Sequence, residues 1–198
     1  MDQIVYVLIN EAMPGYAKIG ITNNLEQRIR SLDTTGIPLP FECFYACKVD
    51  DSAFVERQIF DAFMDHRVRS SREFFEISPE RAVAILKLVE IENVTPKKDF
   101  VESQEDQKAL NEARTKRPDF NFNMVDIPVG AELIFARDEN IKSKVVDKNK
   151  IELEGEITSL SKSARELLDY DYGVAGSLYW MYEGETLDER RRRFEEGE

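Results

Sequence analysis

A single histidine, His66, stands in 198 residues. A zinc site built on several imidazoles, a Ser-His triad or a Cys-His pair would each have to run through that one side chain. Candidate chemistry therefore falls to carboxylates, tyrosines, lysines and arginines. Cysteine is nearly as scarce. Cys43 and Cys47 lie four apart in an expected strand, on one face by strand alternation yet too distant for an unstrained disulfide, so buried thiols are expected. No run approaches the roughly 18 apolar residues of a membrane span, and no charged-then-apolar leader precedes a small-residue cleavage site. The expectation is a soluble, cytoplasmic chain with no membrane partner. Basic charge is short as well, with 27 Lys and Arg against 39 Asp and Glu and a net charge of −12. On average that balance opposes a polyanionic partner, because phosphates are neutralised by Lys and Arg.

What is present is more specific. Hydrophobic residues make up 42% of the chain and aromatics 10%, enough to pack one large domain or two small ones. Arg28, Arg30, Arg67, Arg69 and Arg72 cluster early in the chain, and such a patch can steer a phosphate backbone while acidic faces elsewhere keep the protein in solution. Scattered, solvated arginines are the ordinary alternative. His66, beside Arg67, reads as an exposed loop residue.

The pattern is that of an α+β protein. Ile4 to Ile9 and Ala17 to Thr22, joined by a turn over Glu11 to Gly15, form a hairpin. Asn23 or Asn24 caps a helix with Leu25, Ile29 and Leu32 on its buried stripe, which leaves Arg28 and Arg30 off it. Phe41 to Val49 is a third strand, and Asp50 or Asp51 caps a second helix. There Val55, Ile59, Ala62 and Phe63 face inward, with Glu56 and Phe60 stacked on the flank. Phe74 to Ile77 is a short strand, and Ser78-Pro79-Glu80 starts a helix carrying Val83, Leu86 and Val89. The expected division is a first domain over 1–95, a polar linker over 96–123 holding a short helix near Gln107 to Thr115, and a small α+β domain over 124–198. In the last, turns at Asp138-Glu139-Asn140 and Asp147-Lys148-Asn149-Lys150 separate strands, and Ser159 or Ser161 caps a helix. Leu178 to Tyr182 is a strand, and Thr186-Leu187-Asp188-Glu189 is a capping box.

Val5-Tyr6 on strand one, Lys18-Ile19-Gly20 on strand two, Arg28 eight residues later and Glu56 on the second helix together resemble the GIY-YIG nuclease family. The likeness spans roughly residues 3 to 90. It is closest to the phage and bacterial branch, through Met13-Pro14-Gly15, the Lys-Ile-Gly element and Arg72-Glu73-Phe74-Phe75. Lys18 stands where the family's second tyrosine belongs, and Phe60 where many relatives have histidine. The resemblance implies a small central mixed or antiparallel sheet flanked by helices. It also implies a metal-dependent DNA endonuclease in restriction, phage defence or mobile-element biology. Tyr6, Lys18, Arg28 and Glu56 would be catalytic, Gly20 structural, and Glu56 the ligand of Mg²⁺ or Mn²⁺. Arg30, Arg67, Arg69 and Arg72 would contact DNA.

These side chains suit phosphodiester hydrolysis, which needs an activated water, stabilised phosphoryl oxygens and help for the departing oxygen. Tyrosine can serve as the base if a nearby cation lowers its pKa from about 10, and Lys18, across the hairpin, is the expected cation. The guanidinium fork of Arg28 matches a phosphate. Glu56 alone can hold a Mg²⁺ that otherwise keeps waters and substrate oxygens. Each residue also has an ordinary reading: Tyr6 as a half-buried aromatic, Gly20 as a strand end or close backbone approach, and Arg28 with Glu56 as a surface ion pair worth about 0–1 kcal/mol.

The C-terminal half is similar to a small accessory domain of restriction-associated and GIY-YIG proteins. The likeness rests on Pro128-Val129-Gly130-Ala131-Glu132-Leu133, Thr158-Ser159-Leu160-Ser161 and Tyr179-Trp180-Met181-Tyr182-Glu183-Gly184-Glu185. It implies recognition of DNA, modified DNA included. Tyr170, Tyr172, Tyr179, Trp180 and Tyr182 supply either a stacking surface or a core, and Arg190 to Arg193 read as an ion-paired helix face. Two other readings compete with the enzyme. One is a catalytically inactive DNA-binding or regulatory protein on the same fold. The other is a toxin or assembly subunit whose acidic surface or C-terminal domain meets a protein partner.

Overall fold

The computed structural model describes residues 3–69, 71–116, 120–170 and 173–196, and Tyr172 lies outside them. The chain is α+β and divides into two compact units, residues 1–117 and 118–198. Among the described residues no helix is long and apolar enough to cross a membrane.

The first unit is built on β1 (Ile4–Ile9), β2 (Ala17–Thr22), β3 (Glu42–Lys48), β4 (Phe74–Phe75) and β5 (Glu92–Asn93), in the order β4-β2-β1-β3-β5 and antiparallel throughout. Its helices are α1 (Leu25–Leu32), α2 (Ser52–Ala62), α3 (Pro79–Leu86) and α4 (Gln104–Lys116). Strand alternation splits β1 between two layers. Ile4, Tyr6 and Leu8 pack with Leu25 and Ile29 of α1. Val5 and Val7 are fully buried on the opposite side, where α2 and α3 lie against the sheet. Asn24 caps α1 by accepting from the Gln27 amide, and Asp51 caps α2 by accepting from the Phe54 amide. Ala62, expected on the buried stripe of α2, is exposed, and the helix ends there with Phe63 turned inward.

Cys43 and Cys47 do not share a face. The β1–β3 register slips between Val7 and Leu8, so that Tyr45 opposes Val7 while Cys43 opposes Leu8. The extra residue reverses the alternation. Cys43 packs with Tyr6 and Leu8, whereas Cys47 lies opposite Val5. Both thiols are free, and burial pushes each up to about 12, so neither is a nucleophile.

Through residue 116, the polar stretch expected to be a linker goes with the first unit. Leu110 on α4 is fully buried. Arg114 donates from Nε to Glu42 at 2.8 Å and from Nη1 to Asp99 at 2.9 Å. Gln107 also donates to Asp99 at 3.0 Å, so polar contacts with a single fully buried leucine hold the helix, too few apolar residues to give a periodic signal.

The second unit has β6 (Glu132–Phe135), β7 (Asp138–Asp147), β8 (Lys150–Leu153), β9 (Glu156–Thr158), β10 (Trp180–Tyr182) and β11 (Glu185–Thr186), ordered β11-β10-β6-β7-β8-β9, with α5 (Leu160–Leu167) and α6 (Leu187–Glu196). The β6–β7 turn falls on Ala136–Arg137, earlier than the expected Asp138–Asn140. Ser159 caps α5, and Thr186 with Glu189 forms the capping box of α6. Trp180 is fully buried and donates from its indole to the Ser163 hydroxyl at 3.1 Å.

Candidate active site on the first unit

The hairpin register sets Tyr6 directly across from Gly20 and Leu8 across from Lys18. Opposed residues project to the same side of a sheet, so the phenol of Tyr6 lies along β2 and crosses Gly20. A Cβ at position 20 would meet Tyr6 Oη at 2.5 Å and Cζ at 2.8 Å. The glycine makes the space the tyrosine occupies. From α1, Arg28 donates through Nε to Tyr6 Oη at 2.9 Å.

Lys18 takes a different position from the one expected of it. As the cation to activate Tyr6 it would sit on the phenol, but its ammonium donates to Glu73 Oε2 at 2.6 Å and lies 5.1 Å from the Phe74 ring centroid. Arg28 is the cation on Tyr6, and its Nη2 also lies 3.7 Å from Glu73 Oε2. The expected lowering of the phenol is reversed. Burial pushes Tyr6 above its ordinary value, the Arg28 hydrogen bond and charge pull it back, and Glu73 and Glu56 push it further up. The Tyr6 phenol raises Arg28 in turn, through the same hydrogen bond.

Glu56 lies half-buried on α2, within electrostatic reach of this group. Burial raises its carboxyl most, and the charge of Glu73 adds to that, while Arg67, Lys18 and Arg28 oppose. Among the described residues no group of three or more His, Cys, Asp or Glu forms a metal cage. The donor set nonetheless fits a hard dication, which commonly takes one or two carboxylates and leaves its other positions to water and phosphate oxygens. A carboxylate whose charge is disfavoured by burial and by a second carboxylate is relieved by such an ion.

A stability prediction follows from the sign of that shift. With its folded value raised, the Glu56 carboxylate is a net cost to the native state at neutral pH, and the cost disappears as the carboxyl protonates on acidification. Glu56→Gln should therefore raise the thermal midpoint at pH 7, and the difference should vanish below about pH 4, where the carboxyl is protonated in both states. Melting curves of the two proteins from pH 3.5 to 8 check it; a neutral-pH midpoint lower than the parent's contradicts it.

Phe60 and Arg67 form a second group beside the first. Phe60 packs edge-on to Phe75 with centroids 5.0 Å apart, and the Arg67 guanidinium lies 4.6 Å from the Phe60 centroid. Arg67 Nε donates to the Arg72 carbonyl at 2.7 Å. Phe60 thus carries a stacked guanidinium on its face. His66 is exposed in a 3₁₀ turn (Met64–His66), its Nε2 3.4 Å from Arg81 Nη1. Of the other arginines expected at DNA, Arg30 pairs with Glu26 on α1, while Arg69 and Arg72 are exposed.

Among the described residues of the second unit, the Arg190 guanidinium lies 5.0 Å from the Tyr182 ring centroid. Tyr179 and Trp180 belong to the core of this unit, with Tyr170 and Tyr182 packed against that core, so the stacking surface gives way to packing. Arg190 is buried, donating from Nε to the Val125 carbonyl at 2.8 Å and from Nη1 to Glu185 at 2.8 Å. Arg191, Arg192 and Arg193 pair with Glu195, Asp188 and Glu185.

Glu73 is the residue of this site to which the sequence reading gave no role. Its signal was the Arg72-Glu73-Phe74-Phe75 run. Arg72 supplies the carbonyl for Arg67, Glu73 bridges Lys18 and Arg28, Phe74 faces the Lys18 ammonium and Phe75 packs on Phe60.

Residues 3–90 match the model of the T5orf172 domain, a domain found in nuclease-like proteins of phages and bacteria. Tyr6, Lys18, Gly20, Arg28, Glu56 and Glu73 all fall inside the match. No curated protein matches the chain.

Proposed function

We propose that the first unit is a metal-dependent DNA endonuclease of the GIY-YIG type, hydrolysing phosphodiester bonds in restriction, phage defence or mobile-element biology. The observation that carries this reading is the Tyr6 hydroxyl held by Arg28 above Gly20, with the Glu56 carboxylate in electrostatic contact with the same arginine. The T5orf172 match over the same residues supports it.

In this mechanism Arg28 has two tasks. Its Nε fixes the phenol oxygen and favours the phenolate, and its remaining donors, on a side chain 36% exposed, face a phosphodiester and its developing charge. Tyr6 acts as the phenolate, its own proton first passing to solvent, and accepts the proton of the attacking water as the bond from phosphorus to the departing oxygen breaks; that oxygen takes its proton from solvent. Glu56 would hold Mg²⁺ or Mn²⁺, which would supply positive charge to the phosphoryl oxygens and offset the part that the Glu56 charge adds to the upward push of burial and Glu73 on the phenol. Arg67, stacked on Phe60 beside Glu56, binds a neighbouring phosphate.

One observation favours a second reading, an inactive DNA-binding or regulatory protein on the same fold: Tyr6 is fully buried and its phenol pushed upward. Supercoiled plasmid incubated with the parent chain in Mg²⁺, Mn²⁺ or EDTA separates the two. The enzyme nicks plasmid with either metal, stops with EDTA, and loses the activity in Tyr6→Phe. Salt-sensitive DNA binding with no nicking in either metal makes the protein a binder.

A further inference from the structure

We infer that Glu73 is a positioning residue through which Lys18 acts on the candidate site: Lys18 anchors Glu73, Glu73 orients Arg28, and Arg28 holds the Tyr6 hydroxyl. The inference rests on the reading of Tyr6 and Arg28 as the reactive pair.

Lys18 is only 6% exposed in the middle of a strand, a position where an ammonium is stable only with a partner. Glu73 is that partner at 2.6 Å, and its own side chain remains 37% exposed. The buried end of the pair is therefore the fixed end. Glu73 is also fixed by its backbone, because its carbonyl accepts from the Ile19 amide at 3.0 Å while Phe74 pairs with Lys18 across β2 and β4. A carboxylate held at both its main chain and its head is a rigid anchor.

Arg28 needs such an anchor. It sits on the exposed flank of an eight-residue helix and is 36% exposed, and a long side chain there ordinarily samples several rotamers. Its guanidinium is planar, so two points of contact define its orientation. Nε meets Tyr6 Oη at 2.9 Å, and Nη2 lies 3.7 Å from the same Glu73 oxygen that accepts from Lys18. The chain from Lys18 to Glu73 to Arg28 to Tyr6 is continuous, and each link joins charged or hydrogen-bonding groups. Glu73 sits at the middle of the chain and contacts no reacting atom, which makes it a positioning group.

The test reads the Arg28–Tyr6 link directly. Proton exchange at Arg28 Nε is measured by NMR in the parent, Glu73→Gln, Glu73→Asp, Lys18→Met, the Lys18→Met/Glu73→Gln double variant and Tyr6→Phe. Lys18→Met keeps side-chain volume and removes the charge, so it tests the same chain if Glu73→Gln does not fold. Exchange should rise roughly tenfold in Glu73→Gln and in Lys18→Met, toward the Tyr6→Phe value, and stay near the parent in Glu73→Asp. The double variant should be no faster than either single one, because both break one chain. Plasmid nicking in Mg²⁺ should fall roughly 10–100-fold in kcat for Glu73→Gln with KM for DNA unchanged, and recover in part with Glu73→Asp. Unchanged Arg28 Nε exchange in Glu73→Gln and Lys18→Met, or effects that multiply in the double variant, overturns the inference. A parent chain that cuts no DNA overturns the proposed function instead, and the exchange comparison still decides the role of Glu73.

Discussion

Arg28→Ala is expected to slow plasmid nicking by about 10²–10³-fold, equivalent to about 2.7–4 kcal/mol of barrier, the effect of removing one preorganised donor from a developing oxyanion. The expectation is large because Arg28 serves two groups at once. Its Nε holds the Tyr6 hydroxyl, and in the proposed mechanism its remaining, partly exposed donors meet the substrate phosphate. Arg28→Lys should recover little, since a point charge on a flexible stem cannot contact the phenol and a phosphate together. Initial rates at saturating Mg²⁺ measure the effect. A loss of less than threefold in Arg28→Ala would remove Arg28 from the chemistry.

Gly20→Ala should be comparably damaging for a steric reason. The added methyl would lie 2.5 Å from Tyr6 Oη, 2.8 Å from Cζ and 3.2 Å from Cε2, so the ring must leave its place. Tyr6 is fully buried and packs with Leu25 and Ile29 of α1, and overpacking of such a side chain typically destabilises by about 1–3 kcal/mol. Nicking should be lost in parallel, because a displaced ring takes the hydroxyl away from Arg28. Tyr6→Phe should not rescue the stability of Gly20→Ala, since the Cζ contact remains, whereas Tyr6→Leu should. Urea denaturation of the two pairs of variants gives the coupling energies. Equal stabilities for Gly20→Ala and the parent would show that the ring does not lie across the glycine.

Much of this site was legible because its parts are short-range. The hairpin and the caps Asn24 and Asp51, which start the helices that carry Arg28 and Glu56, follow from local signals, whereas alternation does not fix the register that sets Gly20, and not Lys18, opposite Tyr6. Pairings made across long stretches of chain were not legible. The Lys18–Glu73 bridge joins residues 55 apart, and no local pattern reports that a carboxylate just before β4 captures the ammonium expected at Tyr6. The same holds for Arg114 with Glu42, 72 residues apart, which binds a polar helix that reads as linker by composition. β5, with only Glu92 and Asn93, exists because β3 offers it an edge at Cys47 and Lys48. The bulge that turns Cys43 and Cys47 to opposite faces has no Gly or Pro to announce it, so simple alternation misplaced them. The direction of the Tyr6 shift failed for a related reason. The cation beside the phenol is Arg28 and not the expected Lys18, and burial with the charges of Glu73 and Glu56 acts against it and prevails.

The central claim is that Glu56 and Tyr6 belong to one metal-dependent hydrolytic site. Nicking of supercoiled plasmid by the parent chain and by Glu56→Ala, at equal concentration in saturating Mg²⁺ and with DNA binding measured alongside, tests it most directly. The account predicts nicking by the parent and none by Glu56→Ala, with DNA affinity kept within a few-fold. Undiminished metal-dependent nicking by Glu56→Ala would contradict it.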